Sequence, residues 1–179
     1  SKAVTAFLVH KLIERGLLAL DDPVADYIPG YHKNGKHDVT VGHVLAHRSG
    51  VPNLPGSAFK LDNLVDRQFM VDTLVDAVPF AKAGQHLAYH AVSGGFILGE
   101  IVNVVTGKDI RQVLAKEFLK PLGFRWTNYG VAPGDVEKVA RNYVTGPPTA
   151  PPLSTRSART SSGSRPSPRR TPTIRSGAR

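Results

Sequence analysis

The stretch SKAVTAFLVHKLIERG, residues 1–16, predicts a helix that packs inside a larger body. Its apolar residues cover most of the circumference of a helix, and a helix that is apolar all round has to be buried. Gly16 suits the position just after a helix end, where a left-handed backbone is common. We therefore expect this helix to have packing partners on several sides.

Further apolar patterns downstream also have helical spacing. Thr40 is placed to cap a short helix that carries Val41, Val44 and Leu45. The remaining patterns predict helices over 61–78, 96–106 and 110–118, which end at Pro79, Gly107 and Pro121. Period-two alternation typical of strands is scarce, so the chain is expected to be mainly α.

The basic charge of the chain is concentrated in its C-terminal segment. The sequence has 23 Lys+Arg against 14 Asp+Glu, a net charge of +9, but seven of the arginines lie in residues 151–179, which hold no acid. Residues 1–150 keep 16 basic and 14 acidic residues and are nearly neutral. The basic segment lacks aromatic side chains for base stacking, so no specific nucleic-acid partner is predicted.

Composition suggests a partial domain over residues 1–145 followed by a Pro/Ser/Arg-rich tail over 146–179. Such a tail cannot bury enough apolar surface to offset its ordering entropy, so it is expected to be disordered. One hypothesis is a frameshift near Ser154; the alternative is a genuine basic linker. The absence of cysteine excludes disulfides and thiol catalysis. Neither a transmembrane segment nor a signal peptide is evident.

Several segments, taken together, carry a resemblance to a known family. Residues 16–29 are GLLALDDPVADYIP, residues 39–52 are VTVGHVLAHRSGVP, and residues 84–107 contain Tyr89-His90-Ala91 before an apolar helix. With the turn at residues 120–124, they resemble the serine β-lactamase and penicillin-binding-protein superfamily, in its branch of esterases and related hydrolases. The resemblance covers residues 1–144. It implies the helical subdomain of the α/β serine β-lactamase/transpeptidase-like fold.

The resemblance implies a serine that attacks a carbonyl and forms an acyl-enzyme, without a cofactor. A serine hydroxyl needs an adjacent base, which a Ser-x-x-Lys motif supplies because residues three apart share a helix face. Lys2 lies fourteen residues before Gly16, the spacing of the family's motif lysine, so Lys2 is expected to be catalytic. The nucleophile would then lie two positions before Ser1, outside the sequence. Ser1 itself fits poorly, since adjacent helix residues point about 100° apart.

The family's Tyr-x-Asn position falls on Tyr89, which the resemblance implies as the proton-relay tyrosine; the alternative is a half-buried loop tyrosine. Ala91 departs from the pattern, because an asparagine there would bind substrate. His90 or Ser93 would then supply a substrate contact. The alternative is that both are loop residues facing solvent.

The family's third motif is not found. No Lys-Thr-Gly or His-x-Gly triplet follows Tyr89, so the strand opposite the serine, with its oxyanion-hole amide, is missing. We therefore expect an inactive fragment, incomplete at both ends, of an enzyme that hydrolyses a small-molecule ester or amide. The alternative is a noncatalytic binding or interaction protein that reuses the helical half-domain. A binding module should unfold cooperatively, whereas a truncated enzyme should aggregate.

Two other constellations favour structural roles. His43 and His47 have the i, i+4 spacing of a zinc pair, but Val44 stands where the glutamate of His-Glu-x-x-His would be. No third ligand is evident, so hydrogen-bonded histidines and no metal are predicted. Asp21 and Asp22 are expected to serve a turn rather than to form a glycosidase carboxylate pair.

Overall fold

The computed structural model describes residues 1–141 and 143. Its α-helices in that range are α1 (Lys2–Glu14), α2 (Val41–Leu45), α3 (Leu61–Val65), α4 (Arg67–Asp76), α5 (Ser93–Thr106) and α6 (Ile110–Leu114). Short 3-10 segments span Val24–Asp26, Lys33–Gly35, Gly56–Phe59 and Pro133–Lys138, and a π-helical turn, Ala115–Leu119, continues α6. No strand forms among these residues, whose single β-bridge joins Pro23 to Thr40. The prediction of a mainly α chain is confirmed.

The chain divides into two units, residues 1–137 and residues 138–179. The predicted boundary at 145/146 and the tail over 146–179, with its hypothetical frameshift, lie outside the described residues. None of the helices in the described part is long and apolar enough to cross a membrane.

The core of the first unit is built around α5. This helix packs against α1, α2 and α4, and its Ile97, Ile101 and Val102 are fully buried. Leu8 and Leu12 of α1 are buried as well. Each such side chain contributes roughly 1.5–3 kcal/mol when it leaves water, so the contacts around α5 set where the N-terminus of α1 lies.

Within the described part of the chain, α1 is buried on one face only. Thr5, Leu8, Val9 and Leu12 are buried, but Phe7 is 59% exposed. The centroid of the Phe7 ring lies 4.5 Å from that of Phe118. The reason is that α5 covers one face of α1 and leaves much of the opposite face uncovered.

The prediction of a single helix over 61–78 is wrong, because the helical backbone is interrupted at Asp66. Asp66 has an extended backbone, with φ −86° and ψ 100°, and its carboxylate accepts a hydrogen bond of 3.0 Å from the Phe69 amide. Aspartate is among the preferred residues at this capping position. It therefore ends α3 and begins α4, although the spacing of apolar residues continues across the break.

Candidate active site

The amine of Lys2 contacts a loop that lies far along the chain. Lys2 is the first residue of α1, and its Nζ donates a hydrogen bond of 2.7 Å to the carbonyl oxygen of Ala91, across 89 positions. The same Nζ lies 4.8 Å from the centroid of the Tyr89 ring, within the range of a cation–π contact. The structure thus brings together Lys2 and Tyr89, the two residues that the resemblance implies as catalytic.

Tyr89 presents its ring to the outside of the molecule. It is 66% exposed, so it is not the half-buried loop tyrosine of the alternative interpretation. One side of the ring is supported by His47, whose ring centroid lies 5.2 Å away. A small molecule can therefore reach Tyr89 and Lys2 from solvent.

The loop that carries Tyr89 rests on the turn after α2. Thr40 caps α2, as predicted, and forms a capping box with His43: Thr40 Oγ1 accepts from the His43 amide, and His43 Nδ1 accepts from the Thr40 amide, each at 3.2 Å. The chain then turns at His47, which has φ +59°, a conformation that is uncommon outside glycine. The Ala88 amide donates to the His47 carbonyl over 3.0 Å. The turn after α2 therefore sets the position of the Tyr89 loop.

Gly50 allows this turn to approach the chain before Tyr89. Its φ is +83°, and a Cβ at this position would lie 2.3 Å from the carbonyl oxygen of Ala81. The Phe80 amide donates to the Gly50 carbonyl over 3.0 Å. A side chain at position 50 would separate these two segments, since both the φ angle and the contact exclude it.

His90 is fully buried behind Tyr89. Its Nδ1 is hydrogen-bonded to the Ala88 carbonyl, its Nε2 lies 2.6 Å from Ser49 Oγ, and its amide donates to His47 Nδ1 over 3.2 Å. Burial lowers the pKa of His90, the hydrogen bond to Ala88 raises it, and His47 lowers it further. The net direction is downward, which favours the neutral ring.

Ser93 is also fully buried. It begins α5, and its Oγ donates to the Val51 carbonyl over 2.7 Å, with a second acceptor, the Pro52 carbonyl, at 3.3 Å. The alternative that His90 and Ser93 are loop residues facing solvent is therefore wrong. Both side chains point into the protein and are engaged by the segment 49–52.

A small cavity lies beside Lys2 on the inner side of the loop. Its volume is about 50 Å³, and its polar walls come from Lys2, Thr5, His47 and His90. A water molecule needs roughly 10–15 Å³ of cavity volume. The cavity beside Lys2 therefore has room for a few waters and not for an acyl substrate. A substrate would have to approach Lys2 and Tyr89 from their exposed side.

The residues considered for metal or carboxylate chemistry have structural partners. His43 Nδ1 and His47 Nδ1 each accept a backbone amide proton, so both are hydrogen-bonded, as predicted. Within the described ranges, no three His, Cys, Asp or Glu side chains are grouped so as to hold a metal ion. Asp22 accepts hydrogen bonds from the Ala19 amide at 2.6 Å and from the Tyr27 hydroxyl at 2.5 Å, which lowers its pKa. It therefore serves the turn before Pro23.

Two residues near the site carry no signal in the sequence. Ser49 lies in the segment quoted for the resemblance, but nothing local indicates that its hydroxyl meets His90. Tyr129 is hydrogen-bonded through its hydroxyl to Thr5 Oγ1, three residues after Lys2 on α1. This contact spans 124 positions, and no pattern in the sequence signals it.

Comparison with known proteins finds relatives for most of this chain. Residues 1–170 match the family model described as Beta-lactamase. The protein named Esterase/beta-lactamase LipL, from Mycobacterium tuberculosis, is 36% identical over 135 residues, which is 75% of this chain and 31% of that protein. The chain spans about a third of the length of the curated relatives it matches.

Solved structures also match this chain over part of their length. A penicillin-binding protein homolog from Caulobacter crescentus has a TM-score of 0.71 at 30% identity, over 84% of this chain and 39% of that one. A family VIII carboxylesterase has a TM-score of 0.64 at 35% identity, over 68% of this chain and 33% of that one. The similar parts are therefore segments of longer chains.

Proposed function

The chain belongs to the beta-lactamase family, and from that premise we propose that it carries part of the active site of a serine hydrolase acting on small ester or amide substrates. The observation that carries this proposal is the contact of Lys2 with the Tyr89 loop, at 2.7 Å to the Ala91 carbonyl and 4.8 Å to the Tyr89 ring. Two segments distant in sequence thus bring a base and a phenol together at an exposed site.

Lys2 acts as the base for a serine three residues before it, on the same face of α1. The serine Oγ–H bond breaks, the proton passes to the amine of Lys2, and Oγ bonds to the carbonyl carbon of the substrate. The leaving alcohol takes the proton as the ester C–O bond breaks. A water molecule then adds to the acyl group, which releases the acid and restores the serine hydroxyl.

Tyr89 passes the proton between the serine side and the leaving group. Its ring lies between solvent and His47, so its hydroxyl is accessible to a bound substrate. Its proximity to the Lys2 amine, which lies 4.8 Å from the ring centroid, supports this role. The pair forms a relay of two groups that exchange one proton.

Ala91 favours ester over amide substrates in this proposal. The Lys2 amine bonds to the Ala91 backbone carbonyl rather than to a side-chain amide, and a methyl group offers no hydrogen bond to a substrate amide. A site that binds its substrate through hydrogen bonds discriminates strongly against substrates whose polar groups it leaves unbonded. An ester needs fewer such partners than a peptide-like amide.

We propose that the 179-residue chain by itself is inactive, because Ser1 is adjacent to Lys2 rather than on the same helix face, and no Lys-Thr-Gly or His-x-Gly triplet follows Tyr89. The alternative, a noncatalytic binding protein, is favoured by one observation: the described part buries its own core around α5. Thermal unfolding separates the two: a sharp, reversible transition supports the binding module, and aggregation on expression supports the hydrolase fragment.

A fluorophosphonate probe, which phosphonylates activated serines, tests the hydrolase proposal. In the product of the coding region that contains this chain, peptide mapping is expected to locate the label on a serine three residues before Lys2. The 179-residue chain should remain unlabelled. Stoichiometric labelling of Ser1, or a coding region without a serine codon at that upstream position, would contradict the proposal.

A further inference from the structure

His90 lies between the two residues that contact Lys2. Tyr89 on one side is 66% exposed, whereas His90 is 0% exposed, so their side chains point in opposite directions, outward and into the protein. Ala91 on the other side provides the carbonyl that Lys2 bonds to. Any interaction that holds the His90 ring therefore constrains both groups that face Lys2.

The hydrogen bonds of His90 determine which ring nitrogen carries the proton. The partner of Nδ1 is the Ala88 carbonyl, and a carbonyl oxygen only accepts, so Nδ1 must be the protonated nitrogen. In the neutral ring Nε2 is then an acceptor. Ser49 Oγ, 2.6 Å away, is the donor to it.

Ser49 is placed to keep this arrangement. It is fully buried, and its Oγ accepts the Val51 amide at 3.3 Å, so its hydroxyl hydrogen remains available for His90 Nε2. The burial of His90 lowers its pKa, which keeps the ring neutral. The pair is enclosed by protein and forms a hydrogen-bonded link from the Tyr89 loop to the turn after α2.

We infer that His90 is a positioning residue: its buried ring, protonated on Nδ1 and bonded through Nε2 to Ser49, holds Tyr89 and the Ala91 carbonyl against Lys2. This role rests on the proposed function only in that Lys2 and Tyr89 are taken to act together. The His90 side chain thus anchors the loop at a place where position 91 has an alanine and no side-chain amide.

The test is nuclear magnetic resonance of the product of the coding region that contains this chain, with ¹⁵N-labelled histidine and ¹³C-labelled lysine, at neutral pH. His90 is assigned with His90→Gln and Lys2 with Lys2→Arg. We expect the wild-type ring to be protonated on Nδ1 alone. Ser49→Ala should leave the proton on Nδ1, where the Ala88 carbonyl still accepts it, but should shift the signal of His90 Nε2 and the signal of the Lys2 ε-carbon.

Ser93→Ala is the matched control, because it removes a buried hydroxyl that bonds to the Val51 carbonyl and not to His90. It should leave both signals unchanged. If Ser49→Ala does not fold, His90→Asn replaces it: the asparagine amide keeps a donor for Ala88 but has no Nε2, and the same Lys2 shift is expected.

Two results would overturn the inference. One is a wild-type His90 ring protonated on Nε2; the other is a shifted His90 Nε2 signal in Ser49→Ala with an unmoved Lys2 signal. Neither measurement requires hydrolysis. An enzyme that is never labelled by fluorophosphonate would therefore remove the proposed function without touching the positioning role, and the two failures are distinguishable.

Discussion

The amine of Lys2 lies 4.8 Å from the centre of the Tyr89 ring and donates a hydrogen bond to the next residue but one, Ala91. This relationship depends on packing at a distance from both residues. The N-terminus of α1 is placed by the burial of Leu8 and Leu12 against α5, and the Tyr89 loop is placed by the turn after α2. Substitutions in these supports are therefore informative about the site.

Gly50 is expected to be indispensable for the turn that supports the Tyr89 loop. Gly50→Ala places a Cβ 2.3 Å from the Ala81 carbonyl at a φ of +83°, so the two segments must separate. We expect a loss of about 2–4 kcal/mol in the free energy of unfolding, the range of overpacking plus backbone strain. Denaturant unfolding measures it.

Gly56→Ala is the control for Gly50, because a Cβ at position 56 meets nothing within 4 Å. It should change stability by only a few tenths of a kcal/mol. Equal effects of the two substitutions would contradict the account of the turn.

Lys36 is a buried cation that holds the C-terminal end of α4. It is fully buried, and its Nζ donates to the carbonyl oxygens of Val75 at 2.9 Å and of Ala77 at 2.5 Å. Lys36→Met keeps most of the apolar stem but leaves both carbonyls without this donor. We expect a destabilisation of about 1–3 kcal/mol, measured by denaturant unfolding.

Lys33 supplies the comparison for Lys36, since it comes from the same loop and reaches the same helix end. Its salt bridge to Asp76 is exposed, at 54% and 70% of the two side chains. Lys33→Met should therefore change stability by less than about 1 kcal/mol. A larger loss of unfolding free energy in Lys33→Met than in Lys36→Met would contradict this account, in which the buried lysine contributes more to stability than the exposed one.

The folded protein should lose stability as the pH falls through the range where unfolded histidine titrates. Burial lowers the pKa of His90 in the folded state, whereas in the unfolded chain it is about 6.5. Below that pH the unfolded state binds a proton that the folded state does not, so stability falls until the folded-state pKa is passed. Above the unfolded-state pKa of about 6.5, the contribution of His90 to stability is fully present.

His90→Gln removes this titration, and we expect it to flatten the decrease in unfolding free energy on the acidic side of neutrality. His86→Gln is the control, because His86 is exposed. Its variant should keep the wild-type pH dependence. A wild-type slope in His90→Gln would assign the titration to another group.

Asp66 provides a test of the break between α3 and α4. Asp66→Ala removes the acceptor of the Phe69 amide, and the loss of such a cap costs about 0.5–2 kcal/mol. Asp62→Ala, in the first turn of α3, should cost less, since no cap is lost. Denaturant unfolding of both variants measures the two losses of unfolding free energy. Equal losses would show that the charge near a helix start, and not the cap, determines the effect.

The helices and their ends were predictable where a local signal coincides with the tertiary structure. Thr40, Gly16 and Gly107 mark ends that the structure reproduces, because capping chemistry and left-handed glycines act within a few residues. Asp66 shows the limit: its cap interrupts an apolar pattern that continues beyond it. Spacing of apolar residues records burial, and burial alone does not show that the backbone stays helical.

The site was predictable only in its separate parts. Lys2 and Tyr89 follow from resemblance and spacing, and the structure brings them together; their catalytic roles remain proposals. The contacts of Ser49 with His90 and of Thr5 with Tyr129 span 41 and 124 positions. Such pairs are created by the packing of segments that are distant in sequence, and no local propensity encodes them.

The most direct test of the central claim is ester hydrolysis by the product of the coding region that contains this chain, with p-nitrophenyl butyrate as substrate. Lys2→Ala is expected to lower kcat/KM by about 10²–10⁴-fold, the usual effect of removing a general base. Lys11→Ala is the matched control, since Lys11 lies on the same helix in an exposed pair with Glu14, and it should keep the wild-type rate. A Lys2→Ala enzyme as active as Lys11→Ala would contradict the account.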